Sequence, residues 1–186
     1  MADGAGPEAG FPSESRGWYV VFVLCACSIV AFIDRQIINL LVDDIKADLL
    51  LTDTQISLLQ GLAFAMFYAI IAIPLGRLAD SGNRRLLIVA GILAWTGATI
   101  ACGLVNDFES LFVARMCVGI GEAVLTPAGY SILADLFRSR RLSLPVSVYT
   151  GSSFFGSGIA LLVGGFVIAR LAQLDAISLP LVGNVE

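Results

Sequence analysis

Apolar residues fall in five long blocks along this chain, at 18–41, 54–75, 86–105, 110–136 and 144–171, with polar residues gathered in the short intervals between them. A helix needs about 20 apolar residues to cross ~30 Å of hydrocarbon, so each block predicts one transmembrane helix, spans 1 to 5. Residues 1–16 are rich in Gly, Pro, Ser and acids and are expected to form a disordered tail. That acidic start, and an Asp34-Arg35 pair inside span 1 with no small-residue cleavage site, argue against a removable leader. Residues 172–186 are too short and interrupted to span, so the chain is expected to end in a loop, as if a sixth helix were about to begin.

The intervals sort by charge. The one between spans 2 and 3 holds Arg77, Arg84 and Arg85, and the one between spans 4 and 5 holds Arg138, Arg140 and Arg141. The opposite loops carry Asp43, Asp44, Asp48, Asp53, Asp107 and Glu109 against a single Lys46. Cytoplasmic loops collect Lys and Arg, which predicts a cytoplasmic N-terminus and, after five spans, an external C-terminal end.

Composition agrees with the pattern. Of 186 residues, 58% are hydrophobic and only 14% charged, with a mean hydropathy of +0.89. A soluble domain carries about 25% charged residues, so a membrane protein is the expected class. The net charge of −4 offers no basic face for nucleic acid, and the absence of His removes His-based catalysis and His metal ligation. Cys25, Cys27, Cys102 and Cys117 all fall inside apolar blocks and read as small buried hydrophobes, without metal or disulfide spacing. No Gly-x-Ser-x-Gly, His-Glu-x-x-His or Walker pattern is present. The chain is therefore not expected to be an enzyme, and no cofactor or metal is expected.

Four ionisable residues lie within the spans: Asp34 and Arg35 in span 1, Arg115 and Glu122 in span 4. An Asp or Arg at the bilayer centre costs at least ~2.5–3.5 kcal/mol, so such residues face a cavity or a partner. At ~1.5 Å per residue, Asp34 and Arg35 lie roughly 10 Å, and Arg115 roughly 8 Å, below the same membrane face. An Asp34–Arg115 ion pair is therefore geometrically allowed. Glu122 is two turns beyond Arg115 on the same helix face, with Gly119 between them. It sits near the midplane with no Arg or Lys one turn away. For Arg115, helix pinning and function weigh equally; Glu122 is the favoured candidate for binding and releasing a proton near neutral pH.

Weaker features have plainer readings. Gly119-x-Gly121 and Gly156-x-Gly158 suit close helix packing, and Pro74, Pro127 and Pro145 suit bends or helix starts. Tyr68, Tyr130, Tyr149, Thr150, Ser152 and Ser153 are candidates to line a cavity, although lone hydroxyls in spans often bond their own backbone.

The run at 76–85 carries Gly76, Leu78, Ala79, Asp80, Arg84 and Arg85. It resembles the G-x-L-A-D-R/K-x-G-R-R/K loop of major facilitator superfamily transporters. Ser81 stands where a basic residue is usual and Asn83 where the second glycine is. Because Asn tolerates positive φ better than other non-Gly residues, the turn is expected to survive. Arg115, Gly119, Gly121 and Ala123 match that family's span 4 pattern, R-x-x-x-G-x-G-x-A. Within the superfamily, Asp34-Arg35-Gln36, the run 45–49, Asp53-Thr54-Gln55, Gln60-Gly61, and Gly121-Glu122-Ala123 followed by Pro127 look like spinster-like transporters. The antiporter pattern of span 5 is not met: Gly164-Gly165 is there, but no Gly-Pro precedes it.

The resemblance covers residues 17–186 and implies an all-α membrane protein. It would be the N-terminal helical bundle of a major facilitator superfamily protein with five transmembrane helices present, the sixth and the C-terminal half missing. It implies a multi-pass protein of the plasma or inner membrane that works by alternating access. The implied partners are the bilayer, a proton, a small organic or lipid-like (lysolipid-like) solute, and the missing C-terminal half. It also implies proton coupling at Asp34 and Glu122, cavity or ion-pair roles for Arg35 and Arg115, and a cytoplasmic gate motif at Gly76, Asp80, Arg84 and Arg85. The alternative is a truncated, non-transporting membrane fragment that only packs with other helices.

Overall fold

A computed structural model describes residues 13–174, and these are all helical apart from short turns. Most of the predicted tail (residues 1–12) and the last residues (175–186) lie outside the described part. Among the described residues, five helices are long and apolar enough to cross a membrane: Glu14–Leu40, Asp53–Ser81, Arg84–Cys102, Phe108–Leu136 and Ser143–Val167. They are spans 1 to 5; the last helix continues to Leu174. A short helix, Val42–Asp48, follows span 1.

Polar caps set the helix starts. Thr52 and Gln55 form a reciprocal capping box at the head of span 2, with Thr52 N donating to Gln55 Oε1 at 2.9 Å and Gln55 N to Thr52 Oγ1 at 3.3 Å. Asn83 caps span 3 by accepting the Leu86 N–H at 3.2 Å. Asp107 caps span 4 by accepting the Ser110 N–H at 2.9 Å.

That last bond holds the exposed Asp107 carboxyl below the usual carboxylate range. A folded value below the unfolded one, about 3.9, contributes stability that is present above the unfolded value and lost as pH falls through the folded one. Acidification below about pH 4 should therefore fray the first turn of span 4, lowering the amide-exchange protection factor of Ser110. Asp107→Asn caps without a charge, and its protection factor should stay level over the same pH range.

The boundaries differ from the sequence expectation in three informative places. Span 1 begins at Glu14, inside the predicted tail, and the Glu14 carboxylate pairs with Arg141. Span 2 runs to Ser81, so residues 79–81 are helical and the charged hairpin narrows to Gly82-Asn83. Asn83 does not use positive φ: its φ is −80°, and its side chain caps span 3 instead. Span 4 is interrupted at Ala123-Val124, splitting into Phe108–Glu122 and Leu125–Leu136. Pro127 explains this, because it has no N–H to offer the Ala123 carbonyl four residues earlier. Pro145 sits in the first turn of span 5, where that missing donor costs nothing.

Span 4 is the hub. Its apolar window is 61% buried, against 17–28% for the other four. It packs on spans 1, 2 and 3, while span 5 packs on span 1. Glycines allow the closest crossings. A Cβ on Gly121 would lie 2.7 Å from Trp95 N, and one on Gly119 would lie 2.8 Å from Phe64 O. Gly156 seats span 5 against Ile29 and Phe32 of span 1 in the same way. The small-residue reading of both Gly-x-Gly pairs therefore holds at Gly119, Gly121 and Gly156; Gly158 has open space around it.

Candidate functional site

The in-span charges meet at the centre of the bundle. Glu122 is the last residue of the upper segment of span 4, immediately before the proline-induced break, and its side chain is wholly buried. Arg35 crosses from span 1 and donates Nε to Glu122 Oε2 at 2.6 Å. Its guanidinium is boxed by three rings, with centroids 4.7 Å (Phe32), 4.6 Å (Phe64) and 4.9 Å (Tyr68) from Cζ. Such contacts favour a cation that has been drawn away from water.

Asp34 accepts a hydrogen bond from Thr99 Oγ1 of span 3 at 3.0 Å and lies close enough to Glu122 and Arg115 to act on both electrostatically. The Asp34–Arg115 pair that depth allowed is not among the ion pairs of the described residues; Arg35 and Glu122 pair instead. Helix rotation is the reason. Neighbouring residues on a helix point about 100° apart, so Asp34 bonds to Thr99 of span 3 while Arg35 pairs with Glu122 of span 4. Arg115 is 4% exposed and lies under the Phe64 ring, 5.5 Å from Cζ to centroid. Its Nε and the Glu122 Oε1 are both enclosed without a hydrogen-bond partner.

Below this cluster, hydroxyls pair between helices. Tyr68 and Thr126 are 2.8 Å apart, Tyr130 and Thr150 3.0 Å, and Ser28 and Ser153 3.3 Å. Thr126 and Tyr130, four residues apart in the segment beyond the break, share one face of it. Thr126, Tyr130 and Thr150 are exposed on the bundle surface, a placement that suits a wet cavity better than lipid. Tyr149 differs: it is buried and donates to the Leu125 carbonyl at 3.0 Å. Ser152 bonds its own backbone, to the Tyr149 carbonyl at 2.6 Å.

The motif residues assemble at the other end of span 4. Ser131 Oγ donates to Asp80 Oδ1 at 3.0 Å, Arg84 Nε donates to the Ala79 carbonyl at 2.9 Å, and Arg84 pairs with Asp135. Gly76 faces Pro127 at ordinary contact distance, and Arg85 is exposed. The partners Ser131, Asp135 and Thr99 did not stand out in the sequence. For Ser131 and Asp135 a usable signal existed, since both sit in the last turns of span 4 facing the motif.

Residues 24–173 match the family described as the Major Facilitator Superfamily. The chain belongs to the major facilitator superfamily. A bacterial homolog of the human lysosomal transporter spinster, crystallised in an inward-facing and unoccupied conformation, is similar with a TM-score of 0.80 and 32% identity; the match covers 90% of this chain and 36% of that one. An MFS-type efflux pump of Mycolicibacterium smegmatis is 33% identical over 87% of this chain and 38% of its own length. Protein spinster homolog 1 of Homo sapiens is 29% identical over 83% of this chain and 30% of its own. This superfamily member is thus spinster-like, and it spans well under half the length of these relatives.

Proposed function

We propose that this superfamily chain takes part in proton-linked secondary transport of an organic or amphiphilic solute by alternating access, together with a second helical half. The observation that carries the reading is Glu122: a carboxyl buried at mid-span, with one oxygen held by Arg35 and the other without a partner. A proton arriving there would weaken the charge-assisted bond to Arg35 and free the guanidinium. Asp34, held by Thr99 and close enough to Glu122 to act on it, is the second proton-coupling candidate. Arg35 and Arg115 supply positive charge suited to the acidic head of an amphiphile, and the exposed hydroxyls of Thr126, Tyr130 and Thr150 line the wall beneath.

In this reading the arginine-rich end is cytoplasmic, which places the N-terminus inside a plasma or inner membrane. Gly76, Asp80, Arg84 and Arg85 then form the cytoplasmic gate. The bonds of Asp80 to Ser131 and of Arg84 to Asp135 tie span 2 and the head of span 3 to span 4, so breaking them would let span 4 move. Being gate parts, they are not solute ligands.

The test is transport in proteoliposomes of the complete transporter, with a fluorescent lysophospholipid and a fluorescent organic cation as probes. An imposed pH gradient should drive at least one probe. Glu122→Gln should lose the response to the gradient while keeping the folded bundle. Unchanged coupling in Glu122→Gln, or no probe responding to the gradient, would sink the reading.

A further inference from the structure

Phe64 stands between two guanidinium groups that are not equally satisfied. Its ring centroid is 4.6 Å from Arg35 Cζ and 5.5 Å from Arg115 Cζ. Arg35 is bonded to Glu122 Oε2, whereas Arg115 Nε and Glu122 Oε1 are both buried and unmatched. An orphan donor and an orphan acceptor in one dry cluster are costly, and they complement one another. They also share one face of span 4, two turns apart. Phe64 packs on that face. Its backbone presses on Gly119, where a Cβ would come within 2.8 Å of Phe64 O, and Gly119 lies between Arg115 and Glu122 on that face. Phe64 is therefore seated on the stripe at the level between the arginine and the carboxylate, with its ring against both guanidinium groups.

The level of Phe64 has a local cause. A π-helical turn, Leu58–Leu62, ends two residues before it. Such a turn inserts an extra residue into the helical register and rotates the rest of the helix beyond it. Gln60, inside the turn, donates to Asn39 of span 1 at 3.1 Å and so ties the turn to the helix that carries Arg35.

We propose that Phe64 is a positioning residue for Glu122: its ring assigns the carboxylate to Arg35 and withholds Arg115. This rests on the reading of Glu122 as a proton-binding carboxyl. The other groups acting on Glu122 are Asp34 from span 1 and Arg115 from its own span. Tyr68 of span 2 contacts Arg35, and Cys102 of span 3 lies near Asp34 and Arg115. Span 5 brings Tyr149, whose hydroxyl is committed to the Leu125 carbonyl. Arg115 is thus the group whose distance from the carboxylate the ring controls. Without the ring, a second guanidinium can approach Glu122, and a second positive charge favours the ionised carboxylate.

The test follows the carboxyl C=O stretch of Glu122 by infrared titration of this chain in lipid bilayers, the band being assigned by its loss in Glu122→Gln. Phe64→Ala should move the midpoint of that band to lower pH by about half a unit or more. Phe64→Leu keeps most of the volume without an aromatic face and should move it the same way. Phe64→Tyr keeps the ring and should restore the wild-type midpoint. A midpoint unmoved in both Phe64→Ala and Phe64→Leu, or moved as far in Phe64→Tyr as in Phe64→Ala, overturns the assignment of Phe64 alone. A Glu122 band that does not titrate at all overturns the proton-binding reading beneath it.

Discussion

Arg35→Met, with Glu122 left in place, should destabilise the bundle by about 3–5 kcal/mol at alkaline pH, the cost of stranding one member of a buried ion pair. The magnitude follows from Glu122 being wholly buried, with no other ion-pair partner among the described residues. At acid pH the cost should shrink, because the carboxyl can take up a proton instead of standing charged in a dry site. The double variant Arg35→Met/Glu122→Gln should recover most of the loss, since it leaves no buried charge unpaired. Unfolding by an increasing fraction of denaturing detergent, run at two pH values on all four members of the cycle, measures this directly. Additive single and double effects would show that the 2.6 Å contact does not couple the two residues.

Gly121→Leu should prevent spans 3 and 4 from seating. The Cβ alone would sit 2.7 Å from Trp95 N, 2.8 Å from Trp95 Cβ and 3.0 Å from Trp95 Cα. These are mostly backbone or backbone-proximal atoms that cannot turn aside as a side-chain tip can. From the opposite side, a Cβ on Gly91 would meet Gly121 O at 2.8 Å, so the crossing is tight in both directions. Even Gly121→Ala should cost about 1–3 kcal/mol by overpacking, and the four-carbon Leu side chain leaves the helices no common position. Gly97→Ala, in the same span 3 with nothing within 4 Å, is the control; it should be neutral or slightly stabilising, as Ala is the better helix former. The same detergent unfolding series distinguishes them, and equal effects at Gly97 and Gly121 would refute the crossing geometry. Because Glu122 follows Gly121 directly, a displaced crossing should also disturb the Arg35–Glu122 pair.

How legible the site was depends on the kind of information needed. Depth along a span is a one-dimensional quantity, counted at ~1.5 Å per residue, and that count alone placed Asp34, Arg35 and Arg115 at matching depth with Glu122 two turns deeper, near the midplane. Azimuth is not one-dimensional. Whether Asp34 or its neighbour Arg35 forms the ion pair with span 4 depends on how span 1 is rotated against spans 3 and 4. That rotation is fixed by contacts such as Gly156 on Ile29 and Phe32, which involve residues more than a hundred positions apart. The Asp34–Arg115 pair that depth allowed therefore gave way to Arg35–Glu122 in the structure.

By itself the sequence determined the five spans, the charge asymmetry between their ends, the superfamily and the stripe Arg115-Gly119-Glu122. Hydropathy, periodicity and short motifs are local, and each residue carries its share of them whatever surrounds it. Only the tertiary structure decided which charges touch, where Phe64 is seated on the stripe, and that the gate motif closes onto Ser131 and Asp135. Those outcomes depend on distances between helices that are set jointly by every glycine crossing and by two register changes, the π turn at Leu58–Leu62 and the break above Pro127. A register change rotates everything beyond it by a fraction of a turn. A helix face counted from the sequence at an even 3.6 residues per turn cannot carry that rotation, and the packed bundle can.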